Sequence, residues 1–188
     1  MTIIMQIIIT FASTNHNKFR EVESILAERG IQAGFARLEL MEIQSDSLEG
    51  VAQVKVRSAY SRVKKPVIVE DDGLFIDALD GFPGPYSSYA FKTIGNAGIL
   101  KLLKDEDRSA SFRSLIAFFD GRTLKLFEGK VRGSISGKIA LGGWGYDPIF
   151  APEGAAGMTF AELADGKNAY SHRRQALDKF ADWWLAKN

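Results

Sequence analysis

Three carboxylates in a row, Glu70, Asp71 and Asp72, follow the apolar run Val67, Ile68, Val69 and precede Gly73, with Pro66 marking where a strand begins. Adjacent like charges repel, and at the end of a buried strand water relieves them only in part, so the pattern calls for a positive guest. A divalent cation is the leading reading and a solvated acidic turn is the alternative. Ligands collect at strand ends in α/β proteins, which makes this triplet the anchor of a functional reading.

Three further segments carry chemistry. The polar string Ser13, Thr14, Asn15, His16, Asn17, Lys18 lies between a strand and a helix, where backbone N–H groups and a lysine can meet an anion such as phosphate. It lacks the glycines and the Lys-Ser/Thr pair of a Walker loop, and a plain turn capped by Asn15 or Asn17 fits the same residues. The segment Gly142, Gly143, Trp144, Gly145, Tyr146, Asp147, Pro148 sets aromatic plates in a glycine-rich backbone. That arrangement suits stacking of a flat ring, worth about 1–3 kcal/mol per base, or plugging of the core. Ser171, His172 and Arg173 open the last helix with cations at the end its dipole disfavours, which a charged guest or a base carbonyl would explain. Gly81 to Tyr86 reads as a rigid turn without chemistry of its own.

The elements that must position these groups alternate. Gln6 to Ala12 reads as a buried strand; Phe19, Val22, Ile25 and Leu26 then fall on one helical face, with Gly30 as the stop. Ile31 to Phe35 reads as a second strand, Leu48 to Val63 as an amphipathic helix ended by Lys65 and Pro66, and Val67 to Val69 as the third strand. Ala110 to Phe119 and Thr123 to Val131 flank the turn pair Asp120, Gly121, so part of the sheet is antiparallel. A final helix runs from Ser171 as N-cap to Leu185, burying Ala176, Leu177, Phe180 and one or both of Trp183 and Trp184. The fold class is α/β, a mixed twisted sheet flanked by helices.

Composition sets the outer limits. The 188 residues are 46% hydrophobic and 25% charged, enough for one well-buried domain over residues 1–188. A net charge of +1 gives no footprint for duplex nucleic acid, and Lys55, Arg57, Arg62, Lys64 and Lys65 on one helix read as a solvated face. Without cysteine there is no disulfide framework and no thiolate zinc site, and two histidines do not make a zinc cluster, so an intracellular, cytoplasmic setting is expected. Met1 to Ile9 lacks a basic leader and reads as no signal peptide; no stretch is long enough to span a bilayer.

Taken in order, these segments resemble the inosine triphosphate pyrophosphatase family: the Thr14, Asn15 and Lys18 loop, Glu42 with Ile43 and Gln44, Glu70 to Leu74, Gly81 to Ser88, Gly143 to Phe150, and Ser171 to Arg173. The match spans nearly the whole chain. It implies two lobes with the active-site cleft between them, Mg²⁺ dependence, a homodimer, and hydrolysis of ITP, dITP and XTP to the monophosphate and pyrophosphate. By the same resemblance Lys18 and the loop from Ser13 hold the triphosphate, Glu42 and Asp71 hold Mg²⁺, and Asp71 is also the general base. Trp144, Gly145, Tyr146 and Asp147 match the base-side loop, which more usually begins with Phe, and Lys167, His172 and Arg173 match the remaining substrate contacts. Asp72 departs from the Ser or Thr that many relatives use as a substrate contact, and reads as a substrate-side group or an extra, water-mediated metal ligand.

The alternatives are a related-fold pyrophosphatase for other nucleotides, a nucleotide-binding sensor without turnover, and an RNA-binding module drawing on the aromatics and the basic helix. No nucleic acid or membrane partner is expected.

Overall fold

The computed structural model describes residues 7–187. Gln6, which the expected first strand included, lies outside them. The β-branched run at the start forms β1 (Ile7–Ser13), and the next strand, β2 (Ile31–Arg37), pairs with it in parallel from Ile7↔Ile31 to Ser13↔Arg37. Between them runs α1 (His16–Glu28), whose Phe19, Val22, Ile25 and Leu26 are all buried, the face expected from their spacing. The Asn15 side chain caps this helix, accepting from the N–H groups of Asn17 and Lys18. The expected polar loop is therefore short: Ser13 still belongs to the strand and His16 already to the helix.

α2 (Leu48–Val63) has the predicted bounds, with Ser47 accepting from the Gly50 N–H at its start and Lys64 in the left-handed region, φ 54°, at its end. It leads into β3 (Val67–Ile76), which is parallel to β1 at Thr10↔Val67 and Phe11↔Ile68. Here the sequence reading needs correction. The strand does not stop at Val69 but runs through all three carboxylates to Ile76, with Leu74 and Phe75 pairing antiparallel with β4 (Pro83–Gly84). Gly73 permits that pairing, since a Cβ there would lie 2.5 Å from the Gly84 carbonyl oxygen. The expected turn at Gly81 to Tyr86 thus contains a short strand.

α3 (Ser87–Thr93) and α4 (Gly95–Leu102) follow; neither was read from the sequence. β5 (Ser109–Phe119) and β6 (Leu124–Ile135) are sheet neighbours joined by the expected turn, where Asp120 accepts from the N–H groups of Arg122 and Thr123. β7 (Phe150–Pro152) lies antiparallel on β6, α5 (Phe160–Leu163) starts in a capping box of Thr159 and Glu162, and α6 (His172–Lys187) closes the described chain. Among the described residues the strands form one mixed sheet in the order β2-β1-β3-β5-β6-β7, with β4 on β3. This is the α/β class expected.

The chain divides into two compact units. The first takes in the chain to Asp71, Leu115–Glu128 and the chain from Arg174; the second takes in Asp72–Ser114 and Gly129–Arg173. The first has a core built around Phe11, Phe19, Leu26, Phe118, Phe180 and Trp184, the second one around Leu74, Ile99, Phe112, Tyr146, Phe150 and Phe160. Each such buried side chain is worth about 1.5–3 kcal/mol against exposure, so both cores are rigid platforms for the polar groups that end on them.

Candidate active site

In the first unit, carboxylates and ammonium groups converge. Glu70 has a side chain with no exposure and lies 3.6 Å from the Lys18 ammonium, which the first turn of α1 supplies. Asp71, also buried, accepts from Lys55 of α2 at 2.9 Å, and the same ammonium lies 2.9 Å from Glu42. Two carboxylates thus share one cation. Burial works against the Lys55 charge, but the fields of Asp71 and Glu42 outweigh both it and the repulsion from Lys18, and its pKa is raised. Lys55 therefore stays an ammonium at neutral pH.

Lys55 is where the sequence reading of a solvated basic face fails. Arg57, Arg62, Lys64 and Lys65 are exposed as expected, whereas Lys55 is buried. The signal was present: Val51 and Ala52 precede it by four and three positions and Ala59 follows by four, so it sits in the middle of the apolar stripe. The solvated acidic turn falls for a related reason. Glu70 and Asp71 are buried mid-strand, and the charge they call for arrives from distant parts of the chain.

Around them, Ser13 Oγ accepts from the Asn15 N–H at 3.0 Å, and Thr14, His16 and Asn17 are exposed. The His16 ring packs 5.7 Å from Phe35. With the Asn17 and Lys18 N–H groups taken by the cap, Lys18 and the exposed loop side chains are what this segment offers an anion.

The second unit holds a different arrangement. Gly143, φ 68°, admits no side chain, since a Cβ would meet Asp147 Cβ at 2.7 Å and Ala161 Cβ at 3.0 Å; the loop is folded tightly enough to fix the residue that follows. That residue, Trp144, carries two cations on its ring, Lys167 at 5.0 Å and Arg173 at 5.3 Å from the centroid. Asp147 accepts from Lys167 at 2.8 Å and from the Trp144 N–H at 3.3 Å, and Asp72 accepts from Arg173 at 2.9 Å. The two aromatics of the loop divide the open alternatives. Tyr146 is a core plug: it is buried, its hydroxyl donates to the Ser87 carbonyl at 2.9 Å, and burial pushes its pKa upward. Trp144 stays half-buried on its cations.

His172 is buried, its ring stacked 4.2 Å from Phe112 and 5.9 Å from Phe160. Ser171 caps α6 as expected by accepting from the Arg173 N–H. Asn96 at the start of α4, unremarked in the sequence, donates to the Gly145 carbonyl at 3.1 Å and ties the loop down.

Such a fold and such a pair of polar arrangements define an α/β protein with a cluster of acids met by lysines and an aromatic plate rimmed by charge. Residues 9–183 match the Ham1 family, and the chain belongs to it. It is 48% identical over 181 residues to a dITP/XTP pyrophosphatase of Methanopyrus kandleri, covering 94% of this chain and 95% of that one. It is 46% identical to a protein of the same name from Hyperthermus butylicus, with 94% of each covered. Among solved structures it is similar to a HAM1 protein from Coxiella burnetii, with a TM-score of 0.81 and 32% identity over 97% of this chain and all of that one. The family expected from the sequence motifs is borne out. No helix among the described residues is long and apolar enough to cross a membrane.

Proposed function

We propose that this chain is a Mg²⁺-dependent pyrophosphatase that hydrolyses deaminated purine nucleoside triphosphates, ITP, dITP and XTP, to the monophosphate and pyrophosphate. The observation that carries the reading is the convergence of Glu42 and Asp71 on one ammonium, 2.9 Å from each. The names of the relatives support the substrate class.

The donor set fits Mg²⁺. Among the described residues no group of three His, Cys, Asp or Glu side chains could hold a metal by itself, and Mg²⁺ asks for less, keeping several waters and using one or two carboxylates plus substrate oxygens. Glu42 and Asp71 are the residues that would hold it, and it would supply charge neutralisation for the triphosphate and acidify a bound water.

The protein's own groups do the rest. Lys18, with the segment Ser13 to Asn17 beside it, binds triphosphate oxygens, and Glu70 holds the lysine in place from a fully buried position. Asp71, 2.9 Å from the Lys55 ammonium, orients a water for in-line attack on the α-phosphorus and takes its proton. Pyrophosphate leaves without a covalent intermediate. Trp144 offers its ring to the base, Gly145, Tyr146 and Asp147 shape the loop that carries it, and Lys167, His172, Arg173 and Asp72 form the remaining contacts or their supports. A homodimer and the two-lobe arrangement belong to the same reading through the family resemblance, and a cytoplasmic setting through the lack of cysteine.

Pyrophosphate release from ITP, XTP, dITP, GTP, ATP and dUTP, each with Mg²⁺ and with chelator, tests this. Metal-dependent release strongest on ITP, dITP and XTP is the expected result. Release confined to other nucleotides would move the substrate class, and binding of ITP without release would leave a sensor.

A further inference from the structure

Asp72 and Arg173 are 2.9 Å apart, and they differ in what they show to the outside: the arginine side chain is 1% exposed and the aspartate side chain 17%. The guanidinium also lies over the Trp144 ring, 5.3 Å from its centroid. One cation therefore links the carboxylate to the aromatic plate, and the carboxylate is the more exposed member of the pair. We propose that Asp72 is the specificity-determining residue that reads the lactam edge of the base, accepting the ring N–H that stands next to a carbonyl, with Arg173 as the buried cation that positions it.

The chemistry separates bases cleanly. Hypoxanthine and xanthine carry N1–H beside the 6-oxo group, a donor for the carboxylate. Adenine has a lone pair at N1, and an ionised carboxylate is an acceptor only, so ATP brings two acceptors together in a half-buried place. A site built around a hydrogen bond rejects a partner that cannot make it far more sharply than a hydrophobic pocket rejects a shape. Guanine and uracil share the lactam edge, so Asp72 turns away adenine and cytosine, and rejection of GTP falls to another group. A Ser or Thr hydroxyl can donate as well as accept, so it lacks this one-sided demand. The reading of Asp72 as a metal ligand through water is not needed.

The inference rests on Trp144 being the base platform, and its test is arranged to fail separately from the proposed function. The dissociation constants of inosine monophosphate and 1-methylinosine monophosphate are measured by calorimetry for the wild type and Asp72→Asn, alongside pyrophosphate release from ITP. The methyl group removes the N1 donor, and the asparagine keeps the size of the aspartate, so the room for the methyl is unchanged. Wild type is expected to prefer inosine monophosphate by about 30-fold, the scale of a charge-assisted hydrogen bond, and Asp72→Asn by about 3-fold or less. Equal preference in wild type and variant overturns the inference while release from ITP stands. Discrimination without any release from ITP keeps it and overturns the proposed activity; binding of neither nucleotide overturns the inference, and release from ITP alone then decides the proposed activity. Should Asp72→Asn not fold, Asp72→Ser takes its place with the same two outcomes, and equal affinity of the wild type for the two nucleotides overturns the inference.

Discussion

The two polar arrangements differ in how their acids meet their bases. Among the described residues, Glu42 and Asp71 of the first unit share Lys55, and Glu70 lies against Lys18. In the second unit Asp72 meets Arg173 and Asp147 meets Lys167, one for one, around the half-buried face of Trp144. Two carboxylates that share one ammonium suit a divalent cation and, through it, polyphosphate. A balanced rim around an aromatic face attracts something flat and uncharged that carries donors and acceptors at its edge. The proposed function gives the chemistry and the selection of substrate to different residues, and substitutions can pull them apart.

The largest effect is expected in the first arrangement. Asp71→Asn keeps shape and loses the base, so kcat for ITP should fall by about 10²–10⁴-fold while the dissociation constant of ITP changes far less. Equal activity would remove Asp71 from the base role.

Next comes Lys55→Met, which preserves bulk and leaves Glu42 and Asp71 facing each other. Removing one partner of a buried pair costs about 3–5 kcal/mol. Urea denaturation without metal should show a loss toward the lower figure, because Glu42 is 62% exposed on its side chain and water relieves it. Addition of Mg²⁺ should recover part of that loss, since metal can take over the neutralising role. A loss that Mg²⁺ leaves untouched would mean the carboxylates do not form a metal site.

In the second arrangement Trp144→Ala should raise KM for ITP with little change in kcat, at about 1–3 kcal/mol of stacking. A fall in kcat alone would blur the division between the arrangements. Arg173→Ala should narrow the preference for ITP over ATP, through loss of the cation that holds Asp72.

The smallest effect lies outside both. Desolvation opposes the Asp120 charge, yet Lys187 and the N–H groups of Thr123 and Arg122 hold its pKa down at about 2. A carboxylate depressed on folding contributes stability that is complete above its ordinary pKa near 4 and is lost as pH falls through 2. Asp120→Asn keeps the turn bonds and loses the Lys187 pair, so it should be less stable by under ~1 kcal/mol at pH 7. The difference should close between about pH 4 and pH 2 in thermal melts, and a constant difference across that range would take the charge out of the account.

What the sequence showed, and what it withheld, follows the range of the interactions. α2 was legible to the residue because the apolar stripe and the stop at Lys65 and Pro66 are local signals. Asn15 as cap and the Asp120 turn were legible for the same reason. The length of β3 was not. A run of three acids looks like a strand end, and only cations arriving from Lys18, Lys55 and Arg173, up to a hundred residues away, let it continue as a buried strand. Lys55 was misread because it was grouped with the exposed bases Arg57, Arg62, Lys64 and Lys65 of the same segment, although its neighbours at helical spacing are core. α3 and α4 were missed because each is only about two turns long, too short for a helical period to stand out, with Gly95 at φ 60° where the second begins. The candidate site was legible as residue types in order; which base meets which acid was not, since those pairs join residues far apart in sequence.

The central claim is that Glu42 and Asp71 form an anionic pair completed by a divalent cation. Turnover of ITP as a function of free Mg²⁺, in the wild type and in Glu42→Gln, tests it most directly. The account expects turnover to vanish in chelator and to rise with Mg²⁺, with the midpoint for Glu42→Gln displaced to at least ~10-fold higher concentration. Turnover that persists in chelator, or a midpoint that Glu42→Gln leaves in place, would contradict it.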